Sequence, residues 1–428
     1  MKKLLVLLLL CALPTLAGFS AKVGSFTMNT STGNQAITGV GFTPKIVLFF
    51  VSNRTSDGSD TNAVFSFGAA VSSSDQRSMG TDYLERTGAN GLYSNNTKCF
   101  RMLDTTGTFN VLVDVSFVSQ DADGFTINLV TADSRARIAN YIALGGSDLS
   151  TKTGEGTVAT TNTTKAYTGV GFKPDCILMF FPTYLQTAQT TGGTNMQGAI
   201  GWGTSSSAQS YLGSRIINNA TPSDTKKVQV TDATFGLVNS GSLVDKGAIS
   251  TLDADGFTIS YSSVNGTADY FYYIALKGVQ FKVGSFNQST STGNQSVTGM
   301  GFLPSVILAQ SDNAATSASV ANDQRWTFGA TDGTNQFSMW TGVNNNVVVK
   351  CGKGDMDRTK VFKTLTPVAG GPTTQTSATV VSLDADGYTW NNGTTDATSR
   401  QILYLGIGAL GGGAATAAGR ESLLGVGQ

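Results

Sequence analysis

Residues 121–126 read "DADGFT"; the same letters return at Asp253 and, as "DADGYT", at Asp384. An Asp-Gly turn followed by alternating apolar and polar residues leads into a strand, because glycine tolerates a positive φ and the period of two then turns one face inward. The motif is common, so its regular return carries the information. The copies begin 132 and 131 residues apart, and other motifs keep that beat. "GVGF" at Gly39 and Gly169 and "GMGF" at Gly299 are spaced by 130 residues; "YIALGG" at Tyr141 is followed by "YIALKG" at Tyr273 and "YLGIGA" at Tyr404. The openings "KVGSFTMNTSTGNQAITG" at Lys22 and "KVGSFNQSTSTGNQSVTG" at Lys282 match almost letter for letter. This order predicts an all-β chain of three tandem antiparallel β-sandwich domains of one fold, at residues 18–146, 147–278 and 279–410. The period exceeds the about 20–45 residues of solenoid repeats, which points to domains rather than a superhelix.

Within each copy the strand signals agree. "KIVLFF" after Pro44, "CILMFF" after Pro174 and "SVILAQ" after Pro304 are short apolar runs suited to a strand covered on both faces. "FTINLV", "FTISYS" and "YTWNNG" alternate, as a half-exposed strand does. Only three glutamates, Glu85, Glu155 and Glu421, stand among 28 acidic residues, and a preference for Asp over Glu marks turns and caps rather than helices. Between the central pairs Phe67-Gly68, Trp202-Gly203 and Phe328-Gly329 and the Asp-Gly turn the copies diverge. Stretches such as Ala69 to Asn96 read as surface loops and an extra hairpin, where recognition is most adjustable. The junctions between copies are short, so neighbouring domains are expected to hold a fixed orientation. If the fold favours threefold association, three fused copies would form an internal pseudo-trimer, each burying an apolar edge against the next.

The first seventeen residues, "MKKLLVLLLLCALPTLA", have two lysines, a short apolar run and small residues before Gly18. That layout is a secretory signal peptide, with a retained anchor as the alternative; no later stretch is long and apolar enough to cross a bilayer. Without Lys2 and Lys3 the charges balance at 26 positive against 28 negative, which favours neither nucleic acid nor a membrane surface as partner. Cys99, Cys176 and Cys351 survive cleavage. Their odd number excludes a disulfide framework, Cys176 reads as a buried apolar residue, and a bridge between Cys99 and Cys351 stays open. The end of the chain, 411–428, is a Gly/Ala-rich tail, either disordered or ordered by docking on a neighbouring subunit.

Chemistry is sparse. The chain has no histidine, which removes Ser-His and Cys-His nucleophile activation and the usual zinc catalytic sites. No catalytic residue is assigned, and no cofactor is expected beyond one alternative, calcium. Asp121 and Asp123, Asp253 and Asp255, and Asp384 and Asp386 each offer two carboxylates, whereas Ca²⁺ takes about six to eight oxygens. A plain turn with Asp side chains on backbone amides explains the letters equally. For a ligand, Tyr93 in "NGLYSNN", Tyr211 in "SAQSYLG" and Trp340 in "NQFSMWTGVNNN" lie in polar variable stretches and read as glycan-stacking rings, or as rings packed over a loop's own core.

Each repeat resembles an enlarged H-type lectin module. In the first copy the resemblance rests on Phe42, Pro44 and Val47 in "FTPKIV", on Gly124 and Phe125 before an alternating strand, and on Tyr141-Ile142-Ala143-Leu144-Gly145. It implies a small antiparallel sandwich that assembles as trimers. Tyr141 stands where that family usually carries Trp, and the long insertion between the proline strand and the Gly-Phe strand is foreign to it, so no sugar-binding residue is carried over. The same motif order also resembles uncharacterised repeat proteins of tailed-phage and environmental genomes, which implies a virion-surface role. The resulting expectation is a non-enzymatic extracellular structural or attachment protein, on a virion or cell surface, whose partners are copies of itself or neighbouring structural subunits. A carbohydrate-binding protein with surface glycans as ligands is the alternative.

Overall fold

A computed structural model describes residues 18–85, 89–181, 190–193, 195–238, 241–316, 320–347, 352–367 and 371–411, without the side chains of 190–193 and 196. The signal-peptide reading of 1–17 and nearly all of the tail lie outside the described residues, as does Cys351. Cys99 and Cys176 are free, buried thiols. Among the described residues there is no helix, and so none long and apolar enough to cross a membrane.

The chain is all-β, with antiparallel pairing throughout. Its first eleven strands are β1 (Ser20–Thr27), β2 (Gly33–Thr38), β3 (Pro44–Val51), β4 (Gly58–Asp60), β5 (Ala63–Ser72), β6 (Asp75–Tyr83), β7 (Asn90–Asn95), β8 (Phe100–Leu103), β9 (Val111–Asp121), β10 (Gly124–Thr131) and β11 (Ile138–Gly145). They supply two sheets. One runs β1-β11-β3-β5-β6-β7 and the other β2-β10-β9-β8, and the same two orders recur for the next eleven strands and the eleven after those. The two sheets share a core: Val47, Phe49 and Val51 of β3 meet Phe125 and Ile127 of β10 in one buried cluster. This is a sandwich-like packing of inner faces.

Each six-strand sheet gains a seventh strand from elsewhere in the chain. β7 pairs with Thr190–Gly193, the strand Thr225–Val230 pairs with Ala321–Asn322, and Gly352–Asp357 pairs with β4. The first third of the chain borrows from the second, the second from the third, and the third from the first, so the exchange closes in a cycle. The larger sheets are therefore covered on both faces. Their second faces meet in one central cluster, where Phe50 stacks on Phe328 at 4.2 Å, Phe67 meets Phe180 at 4.7 Å and Phe65 stacks on Trp326 at 5.0 Å. Offset and edge-on ring pairs of this kind contribute about 0.5–1.5 kcal/mol each beyond the area they bury.

This double burial corrects the reading of the variable stretches. Residues 69–96, expected as surface loops and an extra hairpin, form the end of β5 and the paired strands β6 and β7, and β6 and β7 are buried along most of their length. The strand register also corrects one equivalence. Gly68 lies opposite Phe49, Gly329 opposite Ala309, and Gly201, not Gly203, opposite Met179. The counterpart of Phe67-Gly68 in the second copy is therefore Ile200-Gly201.

Candidate functional site

The recurring turn is a clip. In all three copies the second aspartate accepts the amides of both glycines in the "G-x-G-F" motif: Asp123 from Gly39 (3.0 Å) and Gly41 (2.6 Å), Asp255 from Gly169 (3.1 Å) and Gly171 (2.6 Å), Asp386 from Gly299 (3.0 Å) and Gly301 (2.5 Å). The residue between the glycines adds its own amide to the aspartate's carbonyl, as Val40 does to Asp123 at 3.2 Å. Three successive amides thus wrap one acid. Such a concave array of N–H groups is an anion-binding nest, here filled by a side chain of the same fold. Gly39 and Gly41 hold φ of 81° and 90°, the left-handed region that glycine enters without a Cβ penalty.

The first aspartate of each turn is engaged as well. Asp121 accepts the hydroxyls of Ser119 (2.8 Å) and Thr126 (2.7 Å), Asp253 those of Thr251 (2.8 Å) and Thr258 (2.7 Å), and Asp384 those of Ser382 (2.7 Å) and Thr389 (2.8 Å). The oxygens of the six residues weighed for calcium face backbone and hydroxyl donors. Among the described residues no three His, Cys, Asp or Glu side chains converge as a metal site.

These bonds make the clip sensitive to pH. The glycine amides hold the Asp123 and Asp386 carboxyls below their ordinary value of 3.8. A carboxyl whose folded value is depressed contributes stability above its unfolded value and loses it as the pH falls through the folded one. A double variant Asp123→Ala, Asp386→Ala is expected to melt below the wild type at pH 7, with the gap closing as the pH drops below about 3.8. Thermal melts monitored by circular dichroism across pH 2.5–7 check this; equal melting temperatures at neutral pH would remove the clip from the stability of the fold.

The rings proposed for glycan contact are not at the surface. Tyr93, Tyr211 and Trp340 are at most 1% exposed. The Tyr93 hydroxyl bonds with Ser66 Oγ at 2.5 Å and accepts the Arg101 amide at 3.0 Å. Tyr211 packs over Gly236 and Trp340 over Gly342, neighbours whose missing side chains leave room for a ring. None of the three can stack on a sugar, and the structure does not bring them together. The polar letters around them mislead because Ser66, Ser78, Thr81 and Ser94 are themselves buried between the layers.

Polar features gather instead where the thirds of the chain meet. At the seam between first and third, Lys353 Nζ pairs with Glu85 at 2.7 Å, the two side chains only 5% and 12% exposed, and Arg358 pairs with Asp57 at 2.9 Å. Ser59 Oγ donates to Asp355 at 2.8 Å, and the Val23 amide donates to Asp332 at 2.9 Å. An open cleft of about 480 Å³ follows this seam, lined among others by Lys22, Ser25, Asn140, Tyr141 and Gln336. Between first and second, Lys152 reaches Asp75 at 3.3 Å and Arg77 reaches Glu155 at 3.5 Å. Between second and third, Gln229 donates to the Gln401 carbonyl at 3.1 Å and accepts the Asp312 amide at 3.0 Å.

Of the acids with raised values, Asp312 lies at this last seam, whereas Asp245 and Asp269 lie away from the clefts. Burial pushes Asp245 up to about 6, with the neighbouring Asp269 adding to the effect, yet both residues have no exposed surface and are bridged by Asn265, whose amide and Nδ2 donate to them at 2.8 Å. Sequence reading overlooked Gln76, Gln209 and Gln336. Each sits at the same place in its hairpin and accepts an amide, from Phe117, Ile249 and Val380 at 2.8–2.9 Å, where the pairing slips by one residue. Their signal is the "x-Q" after each variable turn, which unequal loop lengths hide. No family model and no curated protein matches the chain.

Proposed function

We propose that this chain is a non-enzymatic structural or attachment protein outside the cell, on a cell or virion surface, built of three copies of one antiparallel β-sandwich fused in series. In this reading the copies at 18–146, 147–278 and 279–410 form a single head with pseudo-threefold symmetry. The observation that carries it is the cyclic exchange of end strands over a common aromatic cluster. A rotation that returns to its start makes a closed ring from head-to-tail contacts, whereas an open one makes a filament, and here all three head-to-tail contacts are spent within one chain. Edge strands invite pairing with other chains, and capping each larger sheet with a neighbour's strand of two to four residues replaces a six-residue edge with a very short one. The result suits a module that stands at a surface among many copies without aggregating. Its partners are then neighbouring structural subunits that contact the outside of the ring.

Immunogold electron microscopy of the source cells and of particles they release tests the role. Labelling of ordered surface filaments or capsid studs is the expected result. Label confined to dispersed soluble protein, with selective retention on a glycan array, would replace the structural role with a carbohydrate-binding one.

A further inference from the structure

Where the second and third parts of the chain meet, Lys227, Arg325 and Arg400 line one cavity of about 260 Å³ together with one acid, Asp323, and with Asn313, Thr366 and Gln375. Cations are costly to withdraw from water unless an opposite charge accompanies them. Arg325 is 7% exposed, and burial lowers its guanidinium to about 10. Arg400 is matched by Asp396 at 2.6 Å, and Arg325 has Asp323 at 3.8 Å. Lys227 has no such match: among the described residues no carboxylate lies within ion-pair distance of it, and its Nζ donates to the Asp312 carbonyl at 2.6 Å. The Asp312 carboxyl beside it is buried and held above its ordinary range, with one oxygen taken by the Ala314 amide at 2.8 Å. Burial lowers the Lys227 amine, and repulsion from Arg325 and Arg400 adds to this, while the Asp312 and Asp323 carboxylates pull the other way without reversing it.

We infer that this cavity is a binding site for a small oxyanion, of the phosphate, sulfate or carboxylate class. An anion placed between the three cations supplies the charge that Lys227 lacks and relieves their mutual repulsion, and charge-assisted bonds from ammonium and guanidinium donors to oxyanions are among the stronger kinds. Lys227 belongs to the second part of the chain and the other two cations to the third, so a bound anion also ties the two parts together.

Isothermal titration of the mature chain with sodium phosphate, sodium sulfate and sodium glucuronate, at ionic strength fixed with sodium chloride, tests the site. Saturable one-site binding is expected, weakened at least about tenfold by Lys227→Met, the loss of one charge-assisted contact. Thr366→Glu, which sets a carboxylate on the rim without touching the buried cations, is expected to abolish it, and this variant decides the matter if Lys227→Met does not fold. Tighter phosphate or sulfate assigns the site to a free inorganic oxyanion, and tighter glucuronate assigns it to an acidic sugar. No binding by the wild type, or wild-type affinity in the folded variants, overturns the inference.

Discussion

Phe50→Ala is expected to cost about 3–5 kcal/mol, as large aromatic truncations in packed cores do, and to lower the melting of the whole chain as one transition. Phe50 is fully buried and sits within 4.9 Å of Phe67, 4.2 Å of Phe328 and 5.4 Å of Phe337, ring centre to ring centre. Two of those three neighbours lie nearly three hundred residues away, in the last third of the chain. The cavity left behind therefore opens at the meeting point of sheets from different thirds. No single sheet can collapse into it alone. Differential scanning calorimetry separates the outcomes. One shifted peak follows from a shared core, whereas a split profile in which a single component moves and the rest stays would mean that the thirds unfold independently.

Gly329→Ala has the second large expected effect, loss of the folded protein, because a methyl there meets backbone rather than a movable side chain. A Cβ on Gly329 collides with the Val361 carbonyl oxygen, and its equivalents collide likewise, Gly68 with the Cys99 carbonyl and Gly201 with the Thr234 carbonyl. The two sheets approach so closely at this point that only a residue without a side chain fits. Relief requires the sheets to part, which breaks the packing of a whole cluster, a cost beyond the about 4–5 kcal/mol that marks exceptional substitutions. Soluble yield and far-ultraviolet circular dichroism read the result. Gly393→Ala is the matched control, since its nearest neighbour is a Ser377 hydroxyl at 3.5 Å, and it is expected to fold normally.

The parts of the fold that depend on local chemistry were legible in the letters. The "DADG" and "GVGF" motifs mark the two ends of one clip, and their joint return in each copy reflects a bond between them that every copy makes. Apolar runs after Pro44, Pro174 and Pro304 became the strands covered on both faces, as their composition implied. Another recurring pair went unread: Tyr141, Tyr273 and Tyr404 lie over Gly24, Gly154 and Gly284, which is why a glycine stands in each opening strand.

The rest was hidden because it is set by contacts between distant residues. The exchanged strands are short; β4 is only "GSD" and its counterpart Ala321–Asn322 only two residues. Neither has a period to detect. Tyr93, Tyr211 and Trp340 sit among serine, asparagine and glycine, a composition that normally marks solvent. These strands form the inner layers of a closed ring, so their small polar residues allow close approach of sheets rather than contact with water. The same closure explains the charged seam. Arg325 stands where the other copies have Val64 and Gln197, and Lys227 where they have Leu92 and Gly354, so the repeat gave no reason to single them out, and only the fold brings them to one cavity.

Small-angle X-ray scattering of residues 18–428 tests ring closure most directly. A compact particle of about 410 residues has a radius of gyration near 22 Å, with a distance distribution that rises and falls once. A value above about 30 Å, with separate maxima as three domain-sized spheres in a row would give, would contradict the cyclic exchange of strands and the shared aromatic core.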